Sequence, residues 1–286
     1  MRARPTWLKV AAPSPGEAVG MRAVRDVLVR HRLTTVCQGA ICPNVVECWG
    51  KRTTTFMLLG ATCTRACRFC AVATGDPGGA VDWTEPERLV EAVTTLDLSH
   101  VVLTSVDRDD LEDGGAEVFA TTIRRIKERL PSIRVEALVP DFSGDEEAIA
   151  RVAGAGADVI GHNLEAVRRL TPAWRDHRAS YELSLRVLSR FKALSAGCLL
   201  KSSLMLGLGE NRTEVVASFR DLKEVGVDIL TLGQYLRPTR HAAPVVRYLL
   251  PEEFDRLGLI AREMGFRFVF AGPLVRSSYH AASVFD

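Results

Sequence analysis

From about residue 53 onward the sequence repeats one pattern, and that repeat limits the fold more than any other feature. Short apolar runs alternate with stretches that are apolar at i, i+3 and i+4. The runs TTTFMLL, HVVLTS, RVEALVP, ADVIGHN, CLLKSSLML and DILTLGQY read as strands, and FRFVF is a seventh that comes later. Between them EPERLVEAVTTL, AEVFATTIRRIKERL, DEEAIARVAGAG, SYELSLRVLSRFKAL and RTEVVASFRDLKEVG carry helical periodicity. Pro86 and the acids around it mark the start of the first of these helices. Six successive strand–helix units predict an α/β architecture with a parallel sheet, a partial (β/α)6 TIM-like barrel; a doubly wound sheet is the other arrangement the pattern admits. Residues 1–52 and 266–286 fit neither period and read as extensions attached to a barrel spanning 53–265.

Charge and hydropathy remove several classes of function. The chain has 37 Lys+Arg against 35 Asp+Glu, a net charge of +2, so there is no basic footprint for nucleic acid. No apolar run reaches the roughly 18 residues of a membrane span. The opening MRARPTWLKV is basic but has no apolar core of a signal peptide. The expectation is a cytoplasmic protein with neither a nucleic acid nor a membrane as partner, whose thiols stay reduced and serve metal or catalysis.

Those thiols are unevenly placed. Six of the seven cysteines fall between residues 37 and 70, in two triplets. Cys37, Cys42 and Cys48 are spaced C-x4-C-x5-C; Cys63, Cys67 and Cys70 are spaced C-x3-C-x2-C. Cys198 lies alone in an apolar run and reads as a small buried hydrophobe. Soft thiolates select zinc, copper(I) or iron–sulfur clusters. Structural zinc takes four ligands, commonly from paired knuckles, and C-x4-C-x5-C fits no usual zinc spacing. A zinc-stabilised interaction module would also be a small domain rather than six strand–helix units. A four-iron cluster held by three cysteines keeps one iron open for another ligand.

The strand ends carry a second signal. FMLLG runs into the second triplet, VVLTS into VDRDDLEDGG, EALV into PDFSG, DVIG into His162, Asn163 and Glu165, LMLGLG into Glu210, and ILTLG into Gln234 and Tyr235. In a β/α barrel these ends form one face, the face that carries active sites. The plainer alternative is that βα loops are simply exposed and polar. The acids of VDRDDLEDGG weigh against it, because crowded carboxylates call for a ligand or for pairing with Arg108.

C-x3-C-x2-C with Phe69 before the last cysteine resembles the signature of the radical S-adenosylmethionine enzymes. The resemblance implies that the amino and carboxylate groups of S-adenosylmethionine occupy the open iron. It implies that one electron from the cluster breaks the sulfonium bond, giving a 5′-deoxyadenosyl radical that takes hydrogen from carbon. The cofactor carries that chemistry and the protein positions it. TVCQGAICPNVVECW, FMLLGATCTRACRFCAV, VVLTSVDRDDLEDGGA, PDFSG, LMLGLGE, LTLGQYLRPTRHAAPV and GPLVRSSYHA narrow the resemblance to the lipoyl synthase family, from about Pro5 to Ala281.

That resemblance implies a sulfurtransferase acting at C6 and C8 of an octanoyl chain on a lysine of a carrier, the glycine cleavage H protein or a 2-oxoacid dehydrogenase E2. Two molecules of S-adenosylmethionine are consumed per lipoyl group. Two 4Fe-4S clusters follow, a radical-generating one on Cys63, Cys67 and Cys70, and an auxiliary one on Cys37, Cys42 and Cys48 that donates sulfur. The auxiliary cluster takes Ser278 of RSSY as its fourth ligand, with Ser277 as neighbour and substitute and Arg276 beside it. An alcohol oxygen is a weak ligand for soft iron, which suits a cluster that has to open. A cluster that only relayed electrons would favour a fourth cysteine, and neither triplet has one nearby. Phe69, Thr104, Ser105, Asn163, Glu165, Glu210, Gln234 and Tyr235 are the candidate contacts to S-adenosylmethionine. The alternative for Asn163 is a helix N-cap, and for Arg276 a surface arginine. An electron donor such as ferredoxin or flavodoxin and an iron–sulfur carrier complete the implied partners. Ser203, Ala271 and Ala166 depart from the usual residues of the family, and none is an expected ligand.

Overall fold

The computed structural model describes residues 4–10, 12–50, 53–278 and 281–285. Seven parallel strands lie side by side in chain order: β1 (Thr55–Leu58), β2 (His100–Ser105), β3 (Arg134–Leu138), β4 (Val159–Gly161), β5 (Leu199–Leu206), β6 (Ile229–Gln234) and β7 (Phe268–Gly272). Thr34–Thr35 pairs antiparallel with the free edge of β1, and among the described residues the two ends of the sheet do not pair, so the barrel is open. The helices are α1 (Pro15–Arg30), α2 (Val36–Gly39), α3 (Val45–Gly50), α4 (Glu85–Leu96), α5 (Ala116–Arg129), α6 (Glu146–Ala153), α7 (Thr171–Trp174), α8 (Tyr181–Leu194), α9 (Arg212–Glu224) and α10 (Pro251–Glu263).

Local chemistry sets where these helices begin. The side chains of Asp145, Ser180 and Asn211 accept the N–H of the third helical residue of α6, α8 and α9, satisfying one orphan donor each. Along the strands the side chains alternate, as the pleat requires. Val101, Leu103, Val135 and Ala137 pack into the core under the helices, whereas their neighbours Thr104 and Leu138 face a cavity inside the sheet.

The sheet continues past residue 265. The stretch read as an extension from residue 266 contains β7, whose backbone pairs with Ile229–Gly233 of β6 through register Phe268↔Ile229 to Gly272↔Gly233. The FRFVF run is thus the last barrel strand, with α10 as the crossover before it. At the other end, α1 lies across α3 at two glycines. A Cβ on Gly20 would come within 2.5 Å of the Gly50 carbonyl oxygen, so only glycine allows this approach. That crossing, with Trp49 buried beneath it, fixes the helix that carries Cys48.

Candidate functional site

The second triplet sits on the loop leaving β1. Thr62–Cys63 pairs with Ala73–Thr74 in a two-stranded parallel ribbon, which draws the two ends of the loop together. Inside it Arg65 is buried, and all of its N–H-bearing nitrogens are engaged. Nε and one terminal nitrogen reach Asp109 at 2.7–3.1 Å, and both terminal nitrogens reach Asp141 at 2.7 Å. Burial works against the Arg65 charge, but Asp141 and Asp109 outweigh it and hold the guanidinium above its ordinary pKa. The loop is tied further by Ala66 N–H donating to Asp176 (2.9 Å), Arg68 N–H to the Trp174 carbonyl (2.8 Å) and Arg178 to the Thr64 carbonyl (2.7 Å). Each of its three thiols receives a backbone N–H: Cys63 from Arg65 and Asp107 (3.4 and 3.3 Å), Cys67 from Asp176 (3.3 Å) and Cys70 from Val72 (3.4 Å). Burial, with Asp107 beside it, pushes the Cys63 thiol up to about 11, and burial pushes Cys67 up to about 12. Without a metal these sulfurs stay protonated at neutral pH; a bound metal is what draws them into thiolates.

The first triplet comes from the region before the barrel. Thr35 caps α2, which carries Cys37, and the Cys42 N–H returns to the Cys37 carbonyl at 3.0 Å. Cys37 Sγ lies 3.8 Å from the Thr54 hydroxyl. Asn44 between Cys42 and Cys48 donates through Nδ2 to the Leu274 carbonyl at 2.7 Å, joining this region to the loop after β7. That loop is pressed onto β6: a Cβ on Gly233 would stand 2.0 Å from the Val275 carbonyl oxygen. Arg276 is thereby turned into the cavity near Cys42 rather than out to the surface. Burial lowers the Arg276 pKa and the neighbouring Cys42 thiol opposes that shift; burial raises Cys42, with Arg276 pulling it back.

All six cysteines line one cavity of about 400 Å³, together with Arg276, Ser277 and Ser278. Among the described residues neither serine hydroxyl has a hydrogen-bond partner. Phe69, Thr104, Ser105, Asn163, Glu165, Gln234 and Tyr235 line the same cavity. Asn163 caps no helix; its Nδ2 donates to the half-buried Glu165 carboxylate at 3.0 Å, while its Oδ1 and the Ser105 hydroxyl are buried without partners among the described residues. Glu165 holds a left-handed backbone, φ +66°, and burial raises its pKa. The Thr104 hydroxyl is already spent on the Leu138 carbonyl at 3.0 Å. Gln234 and Tyr235 are spent as well. The Gln234 amide donates to the Leu206, Tyr235 and Arg247 carbonyls and accepts from Leu249 N–H, and Tyr235 O–H donates to the Ala243 carbonyl. Glu210 is not brought to this cavity. Its carboxylate accepts the Gly207 and Leu208 N–H groups (2.6 and 2.9 Å) and faces a separate pocket between α9 and α10. Cys198 sits at the start of β5, away from both triplets, and packs against the core. Ser203 does reach the cavity wall, so one departure from the family pattern faces the site.

Sequence reasoning passed over Arg65, Asp107, Asp141, Arg175 and Asp176. The signal for Arg65 was available: it is one of two arginines, with Arg68, inside the cysteine loop, and an acid-rich stretch follows β2. Arg108, expected to pair with those acids, does so with Asp110 at 2.7 Å.

A Radical SAM superfamily model matches residues 57–222. The chain is 55% identical to a lipoyl synthase of Thermus thermophilus over 99% of this chain and 87% of the relative. It is 55% identical to one of Pyrobaculum arsenaticum over 100% and 96%, and 51% identical to one of Methanocella arvoryzae over 97% and 93%. This chain belongs to the lipoyl synthase family. Solved structures with the same fold include the FeFe-hydrogenase maturase HydG from Carboxydothermus hydrogenoformans, with a TM-score of 0.60 at 10% identity over 96% of this chain and 83% of that one. Methylornithine synthase gives 0.54 at 13% identity over 93% and 80%.

Lipoyl synthases are radical S-adenosylmethionine sulfurtransferases with 4Fe-4S clusters, and the residues present fit those groups. Among the described residues no three His, Cys, Asp or Glu side chains converge on a single metal ion. A cube of four irons takes each thiolate on a different iron, a wider spread than one tetrahedral ion allows. The partnerless Asn163 Oδ1 and Ser105 hydroxyl, on residues that line the same cavity as Cys70, are the polar atoms an amino acid or nucleoside would satisfy. No helix among the described residues is long and apolar enough to cross a membrane.

Proposed function

We propose that this chain inserts sulfur at C6 and C8 of an octanoyl chain carried on a lysine of an H protein or E2 lipoyl domain, using the first triplet's cluster as sulfur source. The observation that supports this reading best is that both triplets face one cavity. Apolar side chains of Val36, Met57, Leu138 and Met205 lie on its walls. Such walls receive an acyl chain and exclude water from a reactive intermediate. When bound, the clusters and S-adenosylmethionine supply hydrogen abstraction and the sulfur atoms.

The chain's own residues do the placing. Cys63, Cys67 and Cys70 hold the radical-generating cluster on a loop nailed down by Arg65. Asn163, Glu165 and Ser105 hydrogen-bond S-adenosylmethionine, and Phe69 packs beside it. Cys37, Cys42 and Cys48 hold the auxiliary cluster, and Ser278 is its fourth ligand. Arg276 supplies positive charge beside Cys42. Gln234, Tyr235 and Thr104 shape the wall through backbone hydrogen bonds rather than by touching a cofactor. The reading calls for a ferredoxin or flavodoxin as electron donor, an iron–sulfur carrier that restores the used cluster, and a cytoplasmic setting. The test is anaerobic turnover of an octanoyl-lysine carrier by the reconstituted chain. The expected result is about two 5′-deoxyadenosines per lipoyl group, with sulfur drawn from the chain's own cluster. Turnover of S-adenosylmethionine with no sulfur in the acyl chain would refute it.

A further inference from the structure

The loop carrying Ser277 and Ser278 is held from two directions. On one side it is clamped where it leaves β7: Gln234 N–H donates to the Pro273 carbonyl and Asn44 to the Leu274 carbonyl. On the other side the chain reaches the opposite mouth of the barrel. Ala281–Val284 forms a 3₁₀ turn with Ala281 and Val284 buried. Val284 packs with Val159 and Ile229, and Leu199, Phe268 and Phe285 join them. The Phe285 ring lies 5.9 Å from the His100 ring and 5.1 Å from the Arg134 guanidinium. His100, Arg134, Val159, Leu199, Ile229 and Phe268 are the first residues of β2 to β7. In a parallel barrel these starts lie at the end remote from the cysteines. The segment therefore stops the lower mouth while Ser278 faces the upper cavity.

Only residues 279 and 280 separate Ser278 from Ala281, a reach of roughly 10 Å even when fully extended. A connection this short limits how far the plug and the serine can move apart. We infer that Val284 and Phe285 are positioning residues whose packing in the lower mouth sets how firmly Ser278 is held against the first triplet. The inference rests on the reading of Ser278 as the auxiliary ligand. A side chain packed in a remote apolar socket suits this task, because it restrains the serine without adding a competing ligand at the cluster.

The test measures loss of iron to a chelator under anaerobic conditions in two backgrounds. One is Cys63/Cys67/Cys70→Ala, which keeps only the auxiliary site; the other is Cys37/Cys42/Cys48→Ala, which keeps only the radical site. Val284→Asp, and separately removal of residues 284–286, should speed iron loss from the auxiliary site about tenfold, or about 1.4 kcal/mol. The radical site should keep its iron and its cleavage of S-adenosylmethionine, and Val284→Ile should behave as the parent. With Ser278→Ala also present the plug variants should add nothing, since coupled groups are not additive. Equal acceleration at both sites would mean plain loss of stability and overturn the proposal, as would full additivity with Ser278→Ala. If Ser278→Ala is fast and Val284→Asp is not, the plug fails; if Ser278→Ala alone changes nothing, the ligand reading fails and the proposal with it.

Discussion

The two cysteine triplets share a cavity but not a style of support. The C-x3-C-x2-C loop grows from a barrel strand, all its thiols accept backbone N–H groups, and a buried arginine fork ties it to the loops after β2 and β3. The C-x4-C-x5-C triplet comes from short helices outside the barrel. Its connection to the far side of the site runs through Asn44 and the loop after β7. N–H groups aimed at thiolate sulfur favour the charged form and tune a metal group that must stay in place. A centre whose fourth ligand comes from a separate chain segment can lose that ligand without disturbing the barrel. The contrast suits the proposed roles, one centre that persists through turnover and one that gives itself up.

The comparison can be broken most sharply by emptying each triplet in turn. Cys63, Cys67 and Cys70 replaced by alanine should leave about half of the iron and abolish 5′-deoxyadenosine formation. Cys37, Cys42 and Cys48 replaced by alanine should leave that formation detectable while the lipoyl product disappears from mass spectra of the carrier. Wild-type lipoyl yield from the latter would make the first triplet structural.

Support by the fork is tested by Arg65→Met. The change leaves the buried Asp141 carboxylate without its guanidinium and should cost about 3–5 kcal/mol in denaturant unfolding. It should also lower iron retention at the radical site more than at the auxiliary one. Equal losses at both would show that the fork stabilises the barrel in general and not this loop.

Ser278 separates the triplets more finely. Ser278→Cys should keep the auxiliary iron yet slow sulfur transfer, because thiolate binds iron more firmly than an alcohol oxygen. Ser278→Ala should loosen the cluster. Normal product formation by both variants would leave the serine a turn residue.

The smallest effect concerns the barrel on which both depend. Burial, with Lys201 nearby, lowers His100 to about 4, and burial lowers His162 to about 4. A histidine kept neutral in the fold binds fewer protons than the unfolded chain between its folded and unfolded pKa values. Its contribution is therefore complete above about pH 6.5 and fades as pH falls toward 4. Each imidazole should remove on the order of 2 kcal/mol between pH 7.5 and 5. His100→Leu should reduce that pH dependence by roughly half in urea unfolding. An unchanged slope would mean that His100 protonates freely in the folded state.

Much of this was legible in the residues because cysteines and strand–helix periodicity are signals of type and spacing. The grouping of the cysteines could be read from spacing, and the strands from short apolar runs, FRFVF included. The roles of Glu210, Gln234 and Tyr235 were harder to read. A polar residue at a strand end looks the same in sequence whether it meets a cofactor or closes a backbone turn. Here Gly207, whose added Cβ would collide with Gln234, shows that the tight turn consumes the amide. Arg65 stands in view inside the cysteine loop, but its sequence position does not say which acids it meets; its partners Asp109 and Asp141 come together only through the parallel register. The apolar residues of the 281–285 segment are too few to announce a periodicity. Their burial depends on a barrel mouth built by strands far away in sequence.

The hydrogen bond from Asn44 to the Leu274 carbonyl spans 230 positions of sequence. Contacts of such separation form late, because the chain between them has to be ordered first. Synthesis delivers the amino-terminal portion first, so Cys37, Cys42 and Cys48 emerge long before the segment that covers them. Apart from the Ala243 N–H donated to the Arg68 carbonyl, the C-x3-C-x2-C loop takes its ties from β1 to β4 and the segment to Arg178, whereas the tie of the first triplet through Asn44 waits for nearly the whole polypeptide. On the proposed assignment, the two cysteine sites mature at different times, and the one that would donate sulfur is finished last.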